Sequence, residues 1–407
     1  MALDKLNEAL SDHVRQLEES GRAKGKEKVV RKILGPKDGR GPRYLLEGYG
    51  EKEFIRMNAN SYLGLSLRQD MIDAEEKGAK EFGVGPGAVR FIVGTYTPHI
   101  NLEKRLAQFH GREEGMIFSS AYATSLGVIY PLTTKETILI SDELNHNCII
   151  NAMRLGKPIA KEIYSHNNME ELEAALQRSV GKAKRVLVIT DGIFSMRGDH
   201  APLDRLAELC EKYNDQFEEG VISIVDDSHG VGAIGSFGRG TEEYTNAKVD
   251  VLIGTLGKAF GVNGGYVVSS PDVITYLRET APTYVYSNPI TVSECEAAIQ
   301  AINILDSEEG RNILQHLAKM TERFESGLKD AGYETIEGAH PVVPLMVRDT
   351  KKTRAIVEYL AENGILATGL SYPVVPQGDE EIRFQVCADH TREDIDYVLD
   401  VLKKYNG

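Results

Sequence analysis

Short apolar runs alternate with helix-like stretches from about residue 66 to residue 300. The runs cover residues 115–118, 137–141, 185–190, 221–225 and 250–254, and the stretches include 70–82, 101–110, 169–178 and 203–213. Apolar runs without polar alternation are typical of strands that are covered on both faces, and strands separated by helices usually pair in parallel. The pattern therefore predicts an α/β fold with a mostly parallel central sheet between helices.

The chain has 407 residues, which is too long for one ordinary core and favours several domains. Apolar residues spaced by three and four over 1–20 predict an amphipathic helix, followed by a Gly-rich connector. After about residue 300 a long helical stretch (293–331) leads into short strands and further helices. We therefore predict an N-terminal helix and connector (1–57), a large domain (58–300) and a small C-terminal α+β domain (301–407).

The formal net charge is −14, which argues against nucleic acid or an anionic membrane as a partner. Acidic residues at 4, 8, 12, 18 and 19 interrupt any signal-peptide core. Residues 115–134 are uncharged, but their Ser, Thr and Pro content favours a buried strand and a turn over a membrane helix. The four cysteines are far apart and are typical of free thiols in a reducing compartment, so we expect a cytoplasmic protein.

Polar side chains follow several of the predicted strands at the point where each strand ends. Asp191, Asp226 and Thr255 come just after apolar runs, and so do the segments 119–124 and 141–146. In open α/β sheets ligands bind at the carboxyl ends of the strands. The sequence therefore predicts that these segments converge on one site.

Lys258 lies in the run Gly254-Thr-Leu-Gly-Lys-Ala-Phe-Gly261, directly after an apolar stretch. A lysine in a glycine turn is often a solvated surface residue. It is not a phosphate-loop lysine, because Ala259 stands where that motif requires Ser or Thr. Its small and apolar neighbours would desolvate the amine and lower its pKa, which makes it a candidate nucleophile.

Asp226 follows another apolar run, in Val225-Asp-Asp-Ser-His-Gly230. It is a candidate helix cap, or a metal ligand together with Asp227 and His229. A third interpretation explains Lys258 as well: pyridoxal phosphate needs an amine that forms an imine and an acid that keeps its ring nitrogen protonated. We favour this cofactor and predict no metal.

Three further features fit such a site, although each also has a plain structural explanation. The small-residue turn 119–124 precedes a helix-compatible stretch, and a helix N-terminus binds phosphate. His146 follows a strand and can stack on a ring, although a lone histidine is more often structural. Arg383 lies within a β-like run, as a residue on the solvated face or as a clamp for a substrate carboxylate.

Seven runs in a fixed order resemble the α-oxoamine synthases, a family of fold-type I pyridoxal phosphate enzymes. The resemblance covers about residues 55–405. The runs are Asn60-Ser-Tyr-Leu-Gly-Leu65, Arg90 with Gly94-Thr95, His99 with Leu102-Glu103, Leu144-Asn-His146, Thr190-Asp-Gly-Ile-Phe-Ser195, Asp226-Asp-Ser-His229 and Gly254-Thr-Leu-Gly-Lys258.

The resemblance implies a role for each of the reactive residues. Lys258 would form the imine with the cofactor and later move the substrate's α-proton. Asp226 would pair with the ring nitrogen, and His229 with Ser195 would approach the phenolate oxygen. His146 would stack on the ring and face the substrate.

The resemblance also implies how the two ends of the ligands are held. It implies a homodimer whose active sites lie at the subunit interface. The phosphate would be bound by Tyr122, Ala123 and Thr255 of one subunit and by Ser287 and Asn288 of the other, and the substrate carboxylate by Asn60 and Arg383.

Members of this family join an amino acid to an acyl-CoA and release CoA, and some decarboxylate the 2-amino-3-oxo acid. Residues 89–95, 372–378 and 382–386 resemble glycine C-acetyltransferase, which makes glycine and acetyl-CoA the expected substrates. Ala88, Ala123-Thr-Ser125 and Cys148 depart from that enzyme. Gly261-Val-Asn-Gly-Gly265 resembles members that use longer chains, so a longer acyl thioester, or L-serine or L-alanine with decarboxylation, is the alternative. An aminotransferase is the other catalytic class.

Overall fold

The computed structural model describes residues 3–20, 22–23, 25–372 and 374–405. The predicted N-terminal helix is α1 (Asp4–Glu19), and residues 1 and 2 lie outside the described part of the chain, as does Pro373 of the run 372–378. The apolar stripe of α1 is exposed in this single chain. The connector contains three strands, β1 (Val30–Leu34), β2 (Arg43–Leu46) and β3 (Glu53–Arg56).

A seven-stranded sheet forms the centre of the molecule. Its strands are β4 (Glu114–Phe118), β5 (Thr137–Asp142), β6 (Ala160–Tyr164), β7 (Arg185–Asp191), β8 (Val221–Asp226), β9 (Val251–Thr255) and β10 (Gly265–Ser269). They are ordered β4-β10-β9-β8-β7-β5-β6, and only β10 runs antiparallel to its neighbours. The predicted mostly parallel α/β sheet is therefore confirmed.

Helices cover both faces of this sheet. They are α2 (Gln69–Phe82), α3 (Thr97–Phe109), α4 (Ala121–Leu132), α5 (Asn147–Leu155), α6 (Met169–Ser179), α7 (Leu203–Asn214), α8 (Thr241–Thr245), α9 (Pro271–Thr280), α10 (Pro282–Val285) and α11 (Val292–Leu305). In β7, Leu187 and Ile189 pack with α4 and α5, whereas Val186 and Val188 pack with α6 and α7. Because both faces of β7 are buried, its residues 186–189 are all apolar, without polar alternation.

The uncharged segment 115–134 folds as β4 and α4, joined at Ser119 and Ser120. The predicted strand is present, and the turn is only the start of a helix that ends after Pro131. Among the residues described, no helix has both the length and the apolar character needed to cross a membrane.

The last hundred residues add three helices, α12 (Glu308–Asp330), α13 (Thr350–Glu362) and α14 (Arg392–Lys403), and five strands. The strands are β11 (Glu334–Thr335), β12 (Val342–Met346), β13 (Ile365–Leu366), β14 (Thr368–Leu370) and β15 (Glu381–Gln385). Four of them form the sheet β11-β12-β15-β14. The predicted single helical stretch 293–331 is divided, because the Ser307 side chain accepts from Gly310 N and begins α12.

The N-terminal and C-terminal segments share a sheet. β13 pairs in parallel with β3, at Ile365 with Ile55, and completes the order β1-β2-β3-β13. Gln385 N also donates to Met57 O at 2.8 Å, and Ala388 N donates to Tyr62 O at 2.7 Å. These bonds bring the segment that follows β3 against the end of β15.

Candidate active site

A cavity opens at the carboxyl ends of the central parallel strands. Its lining comes from the last residues of β7 and β8 and from the segments that follow β4, β5, β7, β8 and β9: Ala121, Tyr122, His146, Cys148, Asp191, Ile193, Ser195, Asp226, Ser228, His229 and Lys258. Six of the residues that we selected from the sequence are among them, namely Tyr122, His146, Ser195, Asp226, His229 and Lys258. The structure thus brings together residues that are up to 136 positions apart (258 − 122).

Asp226 is the buried carboxylate of the cavity, and its two oxygens are held by three donors. Ser125 Oγ donates to Oδ2 at 2.8 Å, and the thiol of Cys148 lies 3.5 Å from the same oxygen. Ser228 N donates to Oδ1 at 3.1 Å. These contacts fix the plane of the carboxylate at the end of β8, which is what a carboxylate needs in order to pair with a ring nitrogen.

Lys258 lies in the loop that joins β9 to the antiparallel strand β10, and it is only partly exposed. Gly261 N donates to its carbonyl at 3.0 Å, with Gly261 at φ +73°, a conformation that suits glycine. Burial lowers the pKa of Lys258 to about 8, although the carboxylates of Asp226 and Asp191 oppose this shift. About a tenth of the amine is therefore neutral at pH 7 and able to attack a carbonyl, far more than at the ordinary lysine pKa of 10.5.

His146 forms the N-cap of α5 on the side of the cavity. Its ring Nδ1 accepts from Cys148 N at 3.3 Å, and the Cys148 thiol lies 3.0 Å from the same nitrogen. Its backbone N donates to Asp191 Oδ2 at 2.7 Å. Burial lowers the pKa of His146, which favours the neutral imidazole that a stacking role requires.

His229 contacts two aromatic residues behind the cavity. The hydroxyl of Tyr62 lies 2.7 Å from His229 Nδ1, and His340 Nε2 donates to the His229 carbonyl at 2.7 Å. Burial, reinforced by the charge of Lys258, lowers the pKa of His229 well below its ordinary value. The imidazole is therefore neutral, and it carries a single ring proton.

Asp227 does not share the cavity with Asp226. Its carboxylate accepts from Thr241 N at 2.7 Å and from Thr241 Oγ1 at 2.5 Å. The side chain is fully buried, and burial raises its pKa to about 7. Because the two neighbouring carboxylates face different surroundings, chelation of a metal by Asp226, Asp227 and His229 is disfavoured.

The N-terminus of α4 opens onto the cavity at Ala121 and Tyr122. Ala123 N already donates to Ser120 Oγ, the N-cap, at 3.1 Å. Thr255 lies at the end of β9, where its hydroxyl donates to Gly264 O at 3.2 Å. A helix N-terminus of this kind fits a phosphate group. The contacts of Tyr122, Ala123 and Thr255 with a phosphate stay predictions.

Arg383 and Asn60 lie one contact away from the cavity lining. Arg383 Nη1 donates to the carbonyl of Ser195, which lines the cavity, at 3.0 Å. The Gln385 amide oxygen accepts from Arg383 Nε and Nη2, both at 2.7 Å, in the orientation that satisfies the guanidinium. Asn60 lies between Gln385 and Tyr62. Their role at a substrate carboxylate stays a prediction.

Ser287 and Asn288 are not part of the cavity within one chain. They lie in the exposed loop between α10 and α11, beside Tyr286, which is 81% exposed. The cavity lining does not include them. Their predicted contact with a phosphate would have to be made in another subunit.

Sequence reasoning missed several groups that the fold places at the site. Ser125 and Cys148 are the side-chain donors to Asp226, and both had been noted only as departures from a related enzyme. Ser125 lies one helical turn after Tyr122, and Cys148 lies two residues after His146. For Ser125 this spacing was the available signal, because residues i and i+3 share a helix face.

Comparisons with known proteins show the family to which the chain belongs. The aminotransferase class I and II family model matches residues 52–402. An 8-amino-7-oxononanoate synthase of Fervidobacterium nodosum is 40% identical over 358 residues, covering 87% of this chain and 88% of the relative. The 8-amino-7-oxononanoate synthase 1 of Bacillus velezensis is 37% identical over 368 residues, covering 89% and 90%.

Solved structures of serine palmitoyltransferases have the same fold. That of Sphingomonas wittichii superposes with a TM-score of 0.88 at 28% identity, covering 99% of this chain and 97% of that chain. A variant from S. paucimobilis with bound PLP and myriocin gives a TM-score of 0.87 at 26% identity, covering 99% and 98%.

The residues of the cavity fit pyridoxal phosphate. A partly neutral lysine amine, a rigidly held carboxylate, a neutral imidazole and an open helix N-terminus are what its aldehyde, ring nitrogen, ring face and phosphate require. The cavity and the family comparisons lead to the same conclusion. The chain belongs to the aminotransferase class I and II family and is a pyridoxal phosphate-dependent acyltransferase of the α-oxoamine synthase type.

Proposed function

We propose that this enzyme condenses L-alanine with an acyl thioester longer than acetyl, and that it releases the free thiol and carbon dioxide. The support is the name shared by its relatives of 37–40% identity. In 8-amino-7-oxononanoate the amino and oxo groups lie on neighbouring carbons, and the amino acid's carboxyl group is gone. This favours our stated alternative over glycine and acetyl-CoA, which the resemblance to glycine C-acetyltransferase had led us to expect.

The cofactor, when bound, stabilises the negative charge that forms on the substrate's α-carbon. Lys258 binds the cofactor through Nζ, and its amine later takes up the α-proton at the same atom. A pKa of about 8 suits this task, because a general base works best when its pKa lies near the operating pH. The observation that carries the role of Lys258 is that it lines the same cavity as Asp226.

The remaining residues hold the reactants in place. Asp226 would keep the ring nitrogen of the cofactor protonated, and the neutral imidazole of His146 would stack on the cofactor ring. Arg383 binds the substrate carboxylate through its guanidinium, the group best suited to that task. Arg383 also donates a hydrogen bond to the carbonyl of Ser195, so the residue expected at the substrate contacts a residue expected at the cofactor.

We also propose that the enzyme is a homodimer with shared active sites. Ser287 and Asn288 are accessible in an exposed loop, outside the cavity of their own chain. The neighbouring surface contains the exposed apolar side chains Phe91, Val93 and Tyr286. Exposed apolar clusters of this kind are typical of subunit interfaces.

The test is a substrate grid on the purified protein. Glycine, L-alanine and L-serine are each combined with acetyl, medium-chain, long-chain and ω-carboxylated acyl-CoA, and thiol and carbon dioxide release are measured. We expect the highest kcat/KM with L-alanine and a longer acyl group. The highest value with glycine and acetyl-CoA, without carbon dioxide, would contradict the substrate proposal.

A separate measurement tests the reaction class. Borohydride is added to the cofactor-loaded protein, and the digested peptides are analysed by mass spectrometry. We expect the cofactor to be attached to Lys258, and Lys258→Ala to abolish the attachment. Attachment at another lysine would overturn the assignment.

A further inference from the structure

We propose that Tyr62 is a positioning residue that holds His229 with its single ring proton on Nε2. The inference deepens the proposed function, because His229 is expected to donate to the cofactor's phenolate oxygen. A neutral imidazole donates from only one nitrogen, so the tautomer decides whether it can do so.

The buried surroundings of Tyr62 and His229 keep both side chains neutral. Tyr62 is completely buried, and its hydroxyl lies 2.7 Å from His229 Nδ1. Burial raises the pKa of Tyr62, so the phenol keeps its proton. His229 remains neutral, and the contact therefore consists either of the phenol donating to Nδ1 or of Nδ1–H donating to the phenol.

A chain of donors that begins at Arg383 decides between these two directions. A guanidinium can only donate, and its Nε and Nη2 both lie 2.7 Å from the Gln385 amide, which must present its oxygen there. The same Gln385 atom lies 3.2 Å from the terminal amide of Asn60. An oxygen on Gln385 requires Asn60 to present its NH₂ group at that point.

The next step follows from the position of the same Asn60 atom. It lies 3.3 Å from the hydroxyl oxygen of Tyr62. If it is the NH₂ nitrogen, it donates to Tyr62, and the Tyr62 proton is then free to point at His229 Nδ1. Every bond from Arg383 to His229 then has one donor and one acceptor. With the opposite tautomer the Tyr62 oxygen would accept from both Asn60 and His229, and neither of these two contacts would take up the proton of the buried phenol.

His340 supports the same arrangement from the other side. Its Nδ1 accepts from Val342 N at 3.1 Å, so its Nε2 carries the proton that is donated to the His229 carbonyl. The Tyr62 and His340 rings contact each other edge to face, with centroids 5.1 Å apart. These contacts keep the His229 backbone and the Tyr62 ring in place, and Nε2 of His229 is left for the cavity that this residue lines.

The tautomer can be measured in the full-length enzyme labelled with ¹⁵N-histidine. Long-range ¹H–¹⁵N correlation spectra identify the protonated nitrogen, and the His229 signals are assigned by their loss in His229→Gln. In the wild-type protein, with and without cofactor, we expect the proton on Nε2. A proton on Nδ1 would overturn the inference, and the spectrum that decides between the two nitrogens is that of the wild-type protein.

Tyr62→Phe removes the hydroxyl while it keeps the ring. We expect the His229 signals to become those of a mixture of tautomers, and cofactor affinity to fall about 3- to 10-fold. Tyr266→Phe is the matched control, because Tyr266 is an equally buried tyrosine whose hydroxyl lies 2.9 Å from His110 Nε2, outside the cavity. It should change the His110 signals and leave those of His229 unchanged.

The outcomes separate this inference from the proposed function. If borohydride attaches the cofactor to Lys258 while His229 is protonated on Nδ1, the inference alone fails. If the cofactor is not attached to Lys258, the proposed function fails, whichever nitrogen of His229 is protonated. A Tyr62→Phe protein with an unchanged His229 spectrum would also contradict the positioning role.

Discussion

Ser125 donates a hydrogen bond to Asp226 at 2.8 Å, from the second turn of α4 to the end of β8. Ser125 is fully buried, and its hydroxyl lies closer to Asp226 than to the carbonyl of Ala121, which is 3.1 Å away. Hydrogen bonds to charged groups contribute about 1.5–3 kcal/mol. We expect Ser125→Ala to weaken cofactor binding about 10- to 100-fold in equilibrium titrations, whereas Ser179→Ala, a buried helical serine outside the site, leaves it unchanged.

Cys148 reaches the same oxygen of Asp226 and the ring of His146. Burial raises the pKa of Cys148, so its thiol stays protonated and donates weakly. A hydroxyl is the better donor, and we expect Cys148→Ser to bind the cofactor at least as tightly as the wild type. Cys148→Ala should bind it more weakly, and equal affinity for all three proteins would contradict a role for this contact.

The amine of Lys258 should control the pH dependence of cofactor attachment. Below a pKa of about 8 the amine is protonated and cannot attack, so the rate should rise with pH and level off above 8. The measurement is the rate of formation of the borohydride-stable bond between pH 6 and pH 10. A midpoint near 10.5, the ordinary lysine value, would show that burial does not lower this pKa.

Arg383→Lys should impair amino acid binding. Lysine cannot reproduce the planar, forked guanidinium, which also holds Ser195 and Gln385. We expect KM for the amino acid to rise about 10- to 100-fold, since a charged hydrogen bond contributes about 1.5–3 kcal/mol. Arg323→Lys, which changes a forked pair with Asp396 outside the site, is the control and should leave KM unchanged.

His166 lies between two carboxylates, Asp142 at 3.2 Å and Asp199 at 3.1 Å. Together they raise its pKa to about 9, in spite of partial burial. Because the pKa is higher in the folded protein, the interaction of protonated His166 with the two carboxylates stabilises the fold fully below pH 6.5. This stabilisation is lost as the pH rises toward 9. The difference in Tm between wild type and His166→Gln should shrink over this range, and a constant difference would contradict the role of the two carboxylates.

The shared site can be tested by mixing two inactive variants. If Ser287 and Asn288 serve the other subunit, a heterodimer of Lys258→Ala with Asn288→Ala contains one intact site. Random mixing of subunits should therefore restore about a quarter of the wild-type activity if each variant alone is inactive. No recovery in a mixture shown to contain heterodimers would place Asn288 in the site of its own chain.

The central sheet and six cavity residues could be predicted, because both follow from local patterns. Apolar runs mark the strands, and Asp226 or His146 stands just beyond such a run. The hydrogen bonds could not be predicted in this way. Tyr62 and His229 are 167 residues apart, and nothing in either local sequence specifies that they meet.

The division of the predicted helix 293–331, in contrast, has a local signal that the prediction overlooked. The apolar spacing is interrupted between Leu305 and Ile313, and Ser307 caps a new helix there. The substrate prediction failed to gain support for a different reason. Acyl chain length is decided by small differences in pocket shape, of about 1–3 kcal/mol per methylene, which local motifs do not record.

The pairing of β13 with β3 constrains how the chain folds during synthesis. β1, β2 and β3 can pair with each other early. The free edge of β3 stays unpaired until β13 is synthesised, roughly 300 residues later. At about 5–20 residues per second, the ribosome needs about 15–60 s to deliver that strand. An unpaired strand edge attracts other chains, so newly made protein is most vulnerable to aggregation before its C-terminal segment emerges.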